Sequence, residues 1–260
     1  MTPPALRPLS VGEILDTSFT LYRRHFSALA TVALICTGVP LVLRLLLESA
    51  GGLLANLTLS LVYLVVLVVL NLIATAATVF IVSESYLGRP ITAREALRRS
   101  TPYVGTVLVC SLLFSLVVGL GFLLLVVPGV ILAVGLVLAI PALVLEPGLS
   151  PMQALSRSWR LTRGSRWRIF GLGFVLLVLI YIPVVAIGTI FAVLLPGSIP
   201  TGPSAGSAML AAVLALAITG LVQIFIYPLF YCVLTITYYD LRVRKEGFDL
   251  ELLASQLRSA

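Results

Sequence analysis

The sequence predicts an all-α, polytopic integral membrane protein with six transmembrane helices, built as three repeats of an interfacial amphipathic helix and a transmembrane hairpin. The first supporting observation is composition. The 260 residues are 60% hydrophobic and only 10% charged, whereas a soluble domain carries about 25% charged residues. The second is a short polar block that occurs three times, each time before a long apolar run. The third is the confinement of basic residues to segments between those runs.

The polar block has the pattern of a helix start. Each copy opens with a hydroxyl residue and carries Glu or Gln three positions later: Ser10 with Glu13, Thr92 with Glu95, and Ser150 with Gln153. This spacing predicts a capping box, in which the hydroxyl accepts from the N3 amide and the N3 side chain accepts from the N-cap amide. Apolar or small residues then recur at helical spacing, and arginines fall on the opposite face. We therefore expect three amphipathic helices.

The three copies divide a single membrane domain, residues 1–260, into repeats. We place repeat 1 at about 9–88, repeat 2 at about 91–147 and repeat 3 at about 149–240, followed by a cytoplasmic tail over 241–260. Six apolar runs supply the spans, at about 26–47, 60–87, 103–127, 130–145, 168–195 and 207–239. Since a span needs about 20 residues, the run over 103–145 must fold back, and Pro128-Gly129 predicts the turn. Prolines inside the runs predict kinks at Pro40, Pro141, Pro183 and Pro228.

The basic residues indicate the orientation. All but one of the 17 lie near the N-terminus, in the links before the third and fifth spans, or in the C-terminal tail. With six spans these four segments share one side of the membrane, whereas an odd number of spans would scatter them. The positive-inside rule places these segments and both termini in the cytoplasm. The exception, Arg44, lies four residues before Glu48, so we expect a local ion pair there.

Six arginines on the second and third amphipathic helices are candidate contacts for lipid headgroups or a partner: Arg94, Arg98, Arg99, Arg157, Arg160 and Arg163. A basic amphipathic helix is suited to the membrane interface. Two interpretations stay open. In one, the helices lie at anionic headgroups and pack beneath their own bundle. In the other, they form a docking surface for an acidic membrane or cytoplasmic protein.

Three acidic residues, Glu84, Glu146 and Asp240, each fall at the cytoplasmic end of an even-numbered span. Each therefore lies close to an arginine-rich helix. They either form ion pairs that join each hairpin to the interfacial helices, or form a polar ring at a cytoplasmic vestibule around the axis relating the repeats.

The pattern of polar residues predicts no enzyme site. We find no nucleophile–base–acid set and no paired carboxylates in an apolar setting. The single histidine and three cysteines give no metal or disulfide framework, and we expect no cofactor. No ionisable residue falls at mid-membrane depth, which argues against an ion-coupled transporter. The net charge of +7 accompanies no nucleic-acid-binding motif, so we expect no nucleic-acid partner.

Three blocks carry a resemblance to a known family: RPLSVGEILDTSFTLYRRHF from Arg7, PALVLEPGLSPMQALSRSWRLTRGSRWRIFG from Pro141, and YYDLRVRKEGFDLE from Tyr238. Together they resemble the bacterial glycerophosphoryl diester phosphodiesterase membrane-domain proteins. The resemblance implies a bacterial inner-membrane protein. It does not imply activity, because the family name refers to members fused to a catalytic domain, and the expected spans and links occupy these 260 residues.

We therefore expect a non-enzymatic integral membrane protein that serves as a scaffold, anchor or accessory subunit at the cytoplasmic face. The alternative is a passive or lipid-linked transporter, which the repeats and kinked spans favour. A continuous polar path between the second and sixth spans would support that alternative.

The six-span topology is tested by single-cysteine labelling after the three native cysteines are replaced. Gly51→Cys and Gly202→Cys are expected to react with a membrane-impermeant maleimide from outside the cell. Arg98→Cys and Arg163→Cys are expected to react only after the membrane is opened. Labelling of positions 98 and 202 from the same side would contradict the six-span arrangement.

Overall fold

The computed structural model describes residues 7–49, 57–89, 91–194, 220 and 225–250. These residues contain α-helices and no strand. The helices are α1 (Val11–Arg24), α2 (Phe26–Ser49), α3 (Leu57–Tyr86), α4 (Ala93–Ser100), α5 (Val104–Leu124), α6 (Val126–Leu136), α7 (Ala139–Leu145), α8 (Pro151–Thr162), α9 (Arg166–Leu194) and α10 (Tyr227–Glu246). A 3-10 turn, Thr101–Tyr103, joins α4 to α5.

Four helical stretches within the described residues are long and apolar enough to cross a bilayer: Phe26–Arg44, Leu57–Tyr86, Ala93–Leu124 and Val126–Leu145. The expected fifth span coincides with α9 (Arg166–Leu194). The first half of the sixth, over 207–239, falls almost entirely outside the described residues, and the second half coincides with the described chain from residue 225. Gly51 and Gly202 also fall outside the described residues. The prediction of a membrane-embedded, all-helical protein is confirmed. The count of six spans and the threefold repeat stay predictions.

Three helices, α3, α7 and α10, contact one another and form the centre of the described bundle. Their side chains fill the core: Val79, Ile81, Leu138, Leu143, Ile236 and Tyr238 are all fully buried. Each central helix also carries a short helix: α4 packs on α3, α8 on α7, and α1 on α10. The short helices bury small or apolar residues of one face, such as Ile14, Ala96 and Ala154. The polar side chains of the opposite face are thereby left on the surface.

The hairpin turn between α5 and α6 is not where the glycine and proline predict it. The chain leaves helical geometry at Leu125, with φ −165° and ψ 157°, whereas Pro128 lies in the first turn of α6. A proline is tolerated there because the first-turn amides have no partner within the helix. Gly129 permits close packing instead, since a Cβ atom on it would lie 2.5 Å from the Phe122 ring. The predicted turn at Pro128-Gly129 was wrong by three residues.

The expected fourth span, over 130–145, is interrupted between α6 and α7. The interruption leaves the Gly135 carbonyl and the Leu138 N–H for side chains of α8 to satisfy. Ser158 Oγ donates to the Gly135 oxygen at 2.9 Å and accepts from the Leu138 N–H at 3.1 Å. Thr162 Oγ1 donates to the same carbonyl at 3.0 Å. Pro141 lies in the first turn of α7, so it accompanies a helix start and does not kink a continuous span.

Trp159 packs its ring directly on Gly135 at this interruption. A Cβ atom on Gly135 would lie 2.4 Å from Trp159 Cε3, closer than carbon atoms approach without displacement. Helix α8 is therefore fixed to the α6–α7 junction by two hydroxyls and one aromatic ring. Glycine is therefore required at position 135 for α8 to pack against this junction.

The Gly135→Ala variant is expected to lower the thermal stability of the purified protein in detergent, because the added methyl group displaces Trp159. Overpacking of this kind typically costs ~1–3 kcal/mol. Gly119→Ala on α5 is the matched control, since a Cβ atom there meets nothing within 4 Å. Equal melting temperatures for the two variants would show that the Trp159 contact does not hold α8.

Candidate functional site

The first and third short helices begin with reciprocal hydrogen bonds. Glu13 N–H donates to Ser10 Oγ at 3.2 Å, and Ser10 N–H donates to Glu13 Oε2 at 2.6 Å. The same pair of bonds joins Gln153 and Ser150, at 3.3 and 2.9 Å. The Ser10 N–H is the main reason that the pKa of Glu13 falls to about 2, and the Arg7 guanidinium lowers it further. These bonds fix where each helix begins.

The second short helix begins differently. Glu95 N–H donates to Thr92 Oγ1 at 3.3 Å, but the Glu95 carboxylate accepts from Arg99 at 2.5 Å, one turn along the helix. Arg99 also donates to Glu84 at 3.3 Å. The side chain of Glu95 therefore binds an arginine that joins α4 to the end of α3.

The three acidic residues singled out by sequence each bind at least one arginine. Glu84 lies at the end of α3, 3.3 Å from Arg99 and 3.7 Å from Arg89. Glu146 follows α7 and accepts from Arg157 Nε at 2.9 and 3.1 Å. The ion-pair interpretation thus describes the contacts that these two carboxylates make.

Asp240 is the most deeply enclosed of the three, with a side chain that is 0% exposed. It accepts from the Leu9 N–H at 2.7 Å, from Arg168 at 2.7 Å and from Arg244 Nε at 3.1 Å. Arg168 and Arg244 also donate to the Leu9 carbonyl. Because the carboxylate is enclosed, it does not line an open vestibule. Its hydrogen bonds instead join the segment before α1 to the first turn of α9 and to the last two turns of α10.

Arg157 connects two carboxylates across the packed helices. Besides Glu146 it donates to Glu246, with Nη2 2.6 Å from Oε2. Burial raises the pKa of Glu246, but the hydrogen bonds and charge of Arg157 and Arg242 outweigh burial, so its pKa lies below the usual value. The Tyr238 hydroxyl donates to Glu146 at 2.5 Å. This cluster ties α8 to both α7 and α10.

The six candidate arginines separate into two groups. Arg99 and Arg157 are occupied by the acids described above. The other four, Arg94, Arg98, Arg160 and Arg163, are exposed, and their guanidinium groups have no acidic partner within the described part of the chain. The exposed group forms what we call the free arginine face. Arg94 and Arg98 lie on α4, Arg160 lies on α8, and Arg163 directly follows α8.

Sequence reasoning missed several participants in these clusters. Arg168 is the first residue of the predicted fifth span, and neither Glu246 nor the Leu9 backbone belongs to a predicted site. One local pattern did indicate an ion pair at Glu246, because this residue lies four positions after Arg242. In the structure, Arg242 Nε is 3.2 Å from Glu246 Oε2. The Leu9 contact joins residues 231 positions apart, so no local pattern could have indicated it.

A second polar group lies between α3 and α10. The Tyr227 hydroxyl is 3.1 Å from Thr75 Oγ1, 3.3 Å from the Tyr231 hydroxyl, and donates to Asn71 Oδ1 at 3.3 Å. These residues adjoin a cavity of about 60 Å³ between α2, α3 and α10. A buried water needs ~10–15 Å³ of such space, so the cavity is large enough for a few water molecules. Gln223, the other polar residue expected at mid-depth, lies outside the described residues.

Membrane-length apolar helices, joined by arginine-rich short helices, define a membrane-embedded protein. A sequence model of the membrane domain of glycerophosphoryl diester phosphodiesterase matches residues 112–256. The chain belongs to this family, and the predicted resemblance is confirmed. The family is the membrane domain of the phosphodiesterase and not its catalytic domain. No curated protein and no solved structure matches the chain.

The Asp240→Asn variant tests the buried cluster. It is expected to lower the melting temperature in detergent strongly, because Arg168 and Arg244 keep their charges but lose their carboxylate. Removing one partner of a buried ion pair typically costs ~3–5 kcal/mol. Glu13→Gln, at an exposed pair with Arg7, is the matched control and is expected to change stability little. An equal effect of both substitutions would contradict the central role of Asp240.

Proposed function

We propose that this protein is a non-enzymatic scaffold, anchor or accessory subunit that binds an acidic protein segment at the cytoplasmic face of the membrane. The observation that carries the proposal is the free arginine face. Four guanidinium groups on two short helices, α4 and α8, stay exposed, whereas Arg99 and Arg157 on the same helices bind Glu84, Glu95, Glu146 and Glu246. Each of these two helices thus keeps positive charge that no described acidic residue neutralises.

The local chemistry favours a carboxylate-bearing partner. Guanidinium groups present planar donors that match carboxylates in a two-bond geometry. The short helices that carry these groups are held rigidly by their caps and by buried residues such as Leu155 and Ser158. A rigid basic surface loses little conformational entropy when it binds. Surface charges also accelerate encounter with a partner of opposite sign.

The proposed architecture is cyclic. Glu84 at the end of the first expected repeat binds Arg99 of the second, and Glu146 at the end of the second binds Arg157 of the third. Asp240 at the end of the third binds the backbone of Leu9, at the start of the first. This recurring connection supports our proposal of three repeats, with boundaries near residues 90 and 148. With six spans and the positive-inside rule, both termini lie in the cytoplasm.

The absence of enzymatic activity and of cofactors is part of the proposal. The family match supports it, because the matching domain is the membrane portion of the phosphodiesterase. The charged residues with the most contacts are engaged in ion pairs between helices, which leaves them less available for proton transfer.

The alternative function is a passive or lipid-linked transporter, and the cavity beside Asn71 and Tyr227 is the observation in its favour. The packing farther along α3 counts against a continuous path. Val79, Ile81 and Val82 are all 0% exposed, and the Ser83 and Tyr239 hydroxyls are 2.7 Å apart. Within the described residues the polar group beside Tyr227 is therefore closed toward the Glu84 end of α3.

The docking proposal is tested by extracting the protein in native lipid discs and identifying stoichiometric partners by mass spectrometry. Replacing Arg94, Arg98, Arg160 and Arg163 together by glutamine is expected to reduce partner recovery on the order of tenfold, equivalent to ~1.4 kcal/mol. The same four positions replaced by lysine form the matched control, which retains the charge without the planar donors and is expected to retain part of the binding.

Partner recovery that is equal for the glutamine and lysine variants would exclude the free arginine face as the docking surface. Recovery of lipid alone from the wild-type protein would shift support to the transporter. Flux assays in liposomes would then decide that alternative.

A further inference from the structure

An apolar groove lies between α6 and α9. It encloses about 410 Å³. Valines of α6, Trp167 and Phe170 form its walls, and Arg166 supplies a charged side chain. Several of these side chains face outward: Val127 is 68% exposed and Trp167 is 87% exposed. The groove therefore opens on the surface that surrounds the bundle.

The charge lies at one end of the groove. The guanidinium carbon of Arg166 lies 3.7 Å from the centre of the Trp159 ring, and that ring packs on Gly135 near the end of α6. Val126, at the start of α6, also lines the groove. Nine helical residues separate positions 126 and 135, which corresponds to ~13 Å along the axis. The groove thus has a cationic end and an apolar length.

Arg166 is incompletely satisfied. Its Nε atom is buried and has no hydrogen-bond partner among the described residues. A buried donor without a partner costs free energy. The Trp159 ring attracts the positive charge but does not accept from Nε. The guanidinium lines the groove and has no acidic partner among the described residues, so an anionic oxygen in the groove would neutralise its charge.

A second apolar cavity adjoins the first. It encloses about 270 Å³ and shares Val130, Val134 and Phe170 with the α6–α9 groove. From there it extends between α5, α9 and α10, along Phe174 and Leu177. The two apolar cavities thus share one wall and extend in different directions from it. A molecule with two hydrocarbon chains and one anionic head matches this shape and charge.

We propose that the α6–α9 groove binds one anionic diacyl glycerophospholipid, with its phosphate at Arg166 and its two acyl chains in the two adjoining cavities. The ~13 Å of apolar wall accommodates roughly ten methylene groups. Burial of methylene groups is favourable relative to water, but the surrounding lipid provides a similar environment. Selectivity over bulk lipid therefore comes from the contact between Arg166 and the headgroup.

Native mass spectrometry of the full chain in detergent tests the proposal, with dioleoyl phosphatidylglycerol titrated against dioleoyl phosphatidylcholine. The wild-type protein is expected to retain one phosphatidylglycerol on the order of tenfold more tightly, equivalent to ~1.4 kcal/mol. Arg166→Gln is expected to abolish this preference, and Arg166→Lys to retain part of it. Ile131→Trp, which fills the groove, is expected to weaken binding of both lipids.

Two control variants separate this site from general lipid adhesion. Arg23→Gln removes an exposed charge on α1, and Leu116→Trp adds the same bulk to an exposed position of α5 outside both cavities. Both are expected to bind lipid as the wild-type protein does. If Arg23→Gln lost the preference to the same extent as Arg166→Gln, the contact would be non-specific and the proposal would fail.

Two further outcomes would also overturn the proposal. One is an undiminished preference for phosphatidylglycerol in Arg166→Gln with an unchanged melting temperature. The other is a wild-type dimer that Ile131→Trp dissociates, which would identify the groove as a contact between copies. If Ile131→Trp does not fold, Val127→Trp places the same ring at a more exposed wall position. These outcomes are independent of the acidic-partner proposal, because Arg166 does not belong to the free arginine face.

Discussion

The described structure depends on the pairing of buried carboxylates with arginines where helices end. A carboxylate removed from water is costly unless its oxygens are occupied by donors, and the fold supplies these donors from elements distant in sequence. Asp240 shows the extreme case, since its enclosed side chain accepts from one backbone amide and two guanidinium groups. Helices whose apolar faces would pack in many registers are thereby restricted to one. The ion pairs provide specificity, and the surrounding apolar side chains provide most of the packing.

Much of this arrangement could be predicted because it is local. The hydroxyl and carboxylate spacing at Ser10 and Glu13 predicts the cap, and the position of Glu84 and Glu146 after apolar runs predicts neighbouring arginines. Features that depend on contacts between helices could not be read in the same way. A glycine following a proline looks the same in the sequence whether it forms a turn or, as Gly129 does, allows the Phe122 ring to pack against the helix backbone. Only packing distinguishes the two roles, which is why the turn was placed incorrectly.

The interruption between α6 and α7 illustrates a second limit of local patterns. An apolar run predicts a continuous helix because every backbone group must be satisfied within the bilayer. Ser158 and Thr162 remove that requirement by bonding to the Gly135 carbonyl from another helix. Ser158 lies eight residues after the start of its polar block, as Ser18 and Ser100 do in theirs, and those two serines bond within their own helices to Ile14 and Leu97. Identical residues in equivalent positions thus satisfy different carbonyls, depending on what lies opposite them.

The contact between Leu9 and Asp240 has a consequence for synthesis. A chain synthesised from its N-terminus contains Leu9 and Arg168 before it contains Asp240, so the first short helix has no fixed neighbour at that end until α10 has been made. Until then, neither the Leu9 amide nor the Arg168 guanidinium has the carboxylate that accepts from it in the folded structure. Closure of α1 onto α10 is therefore a late step.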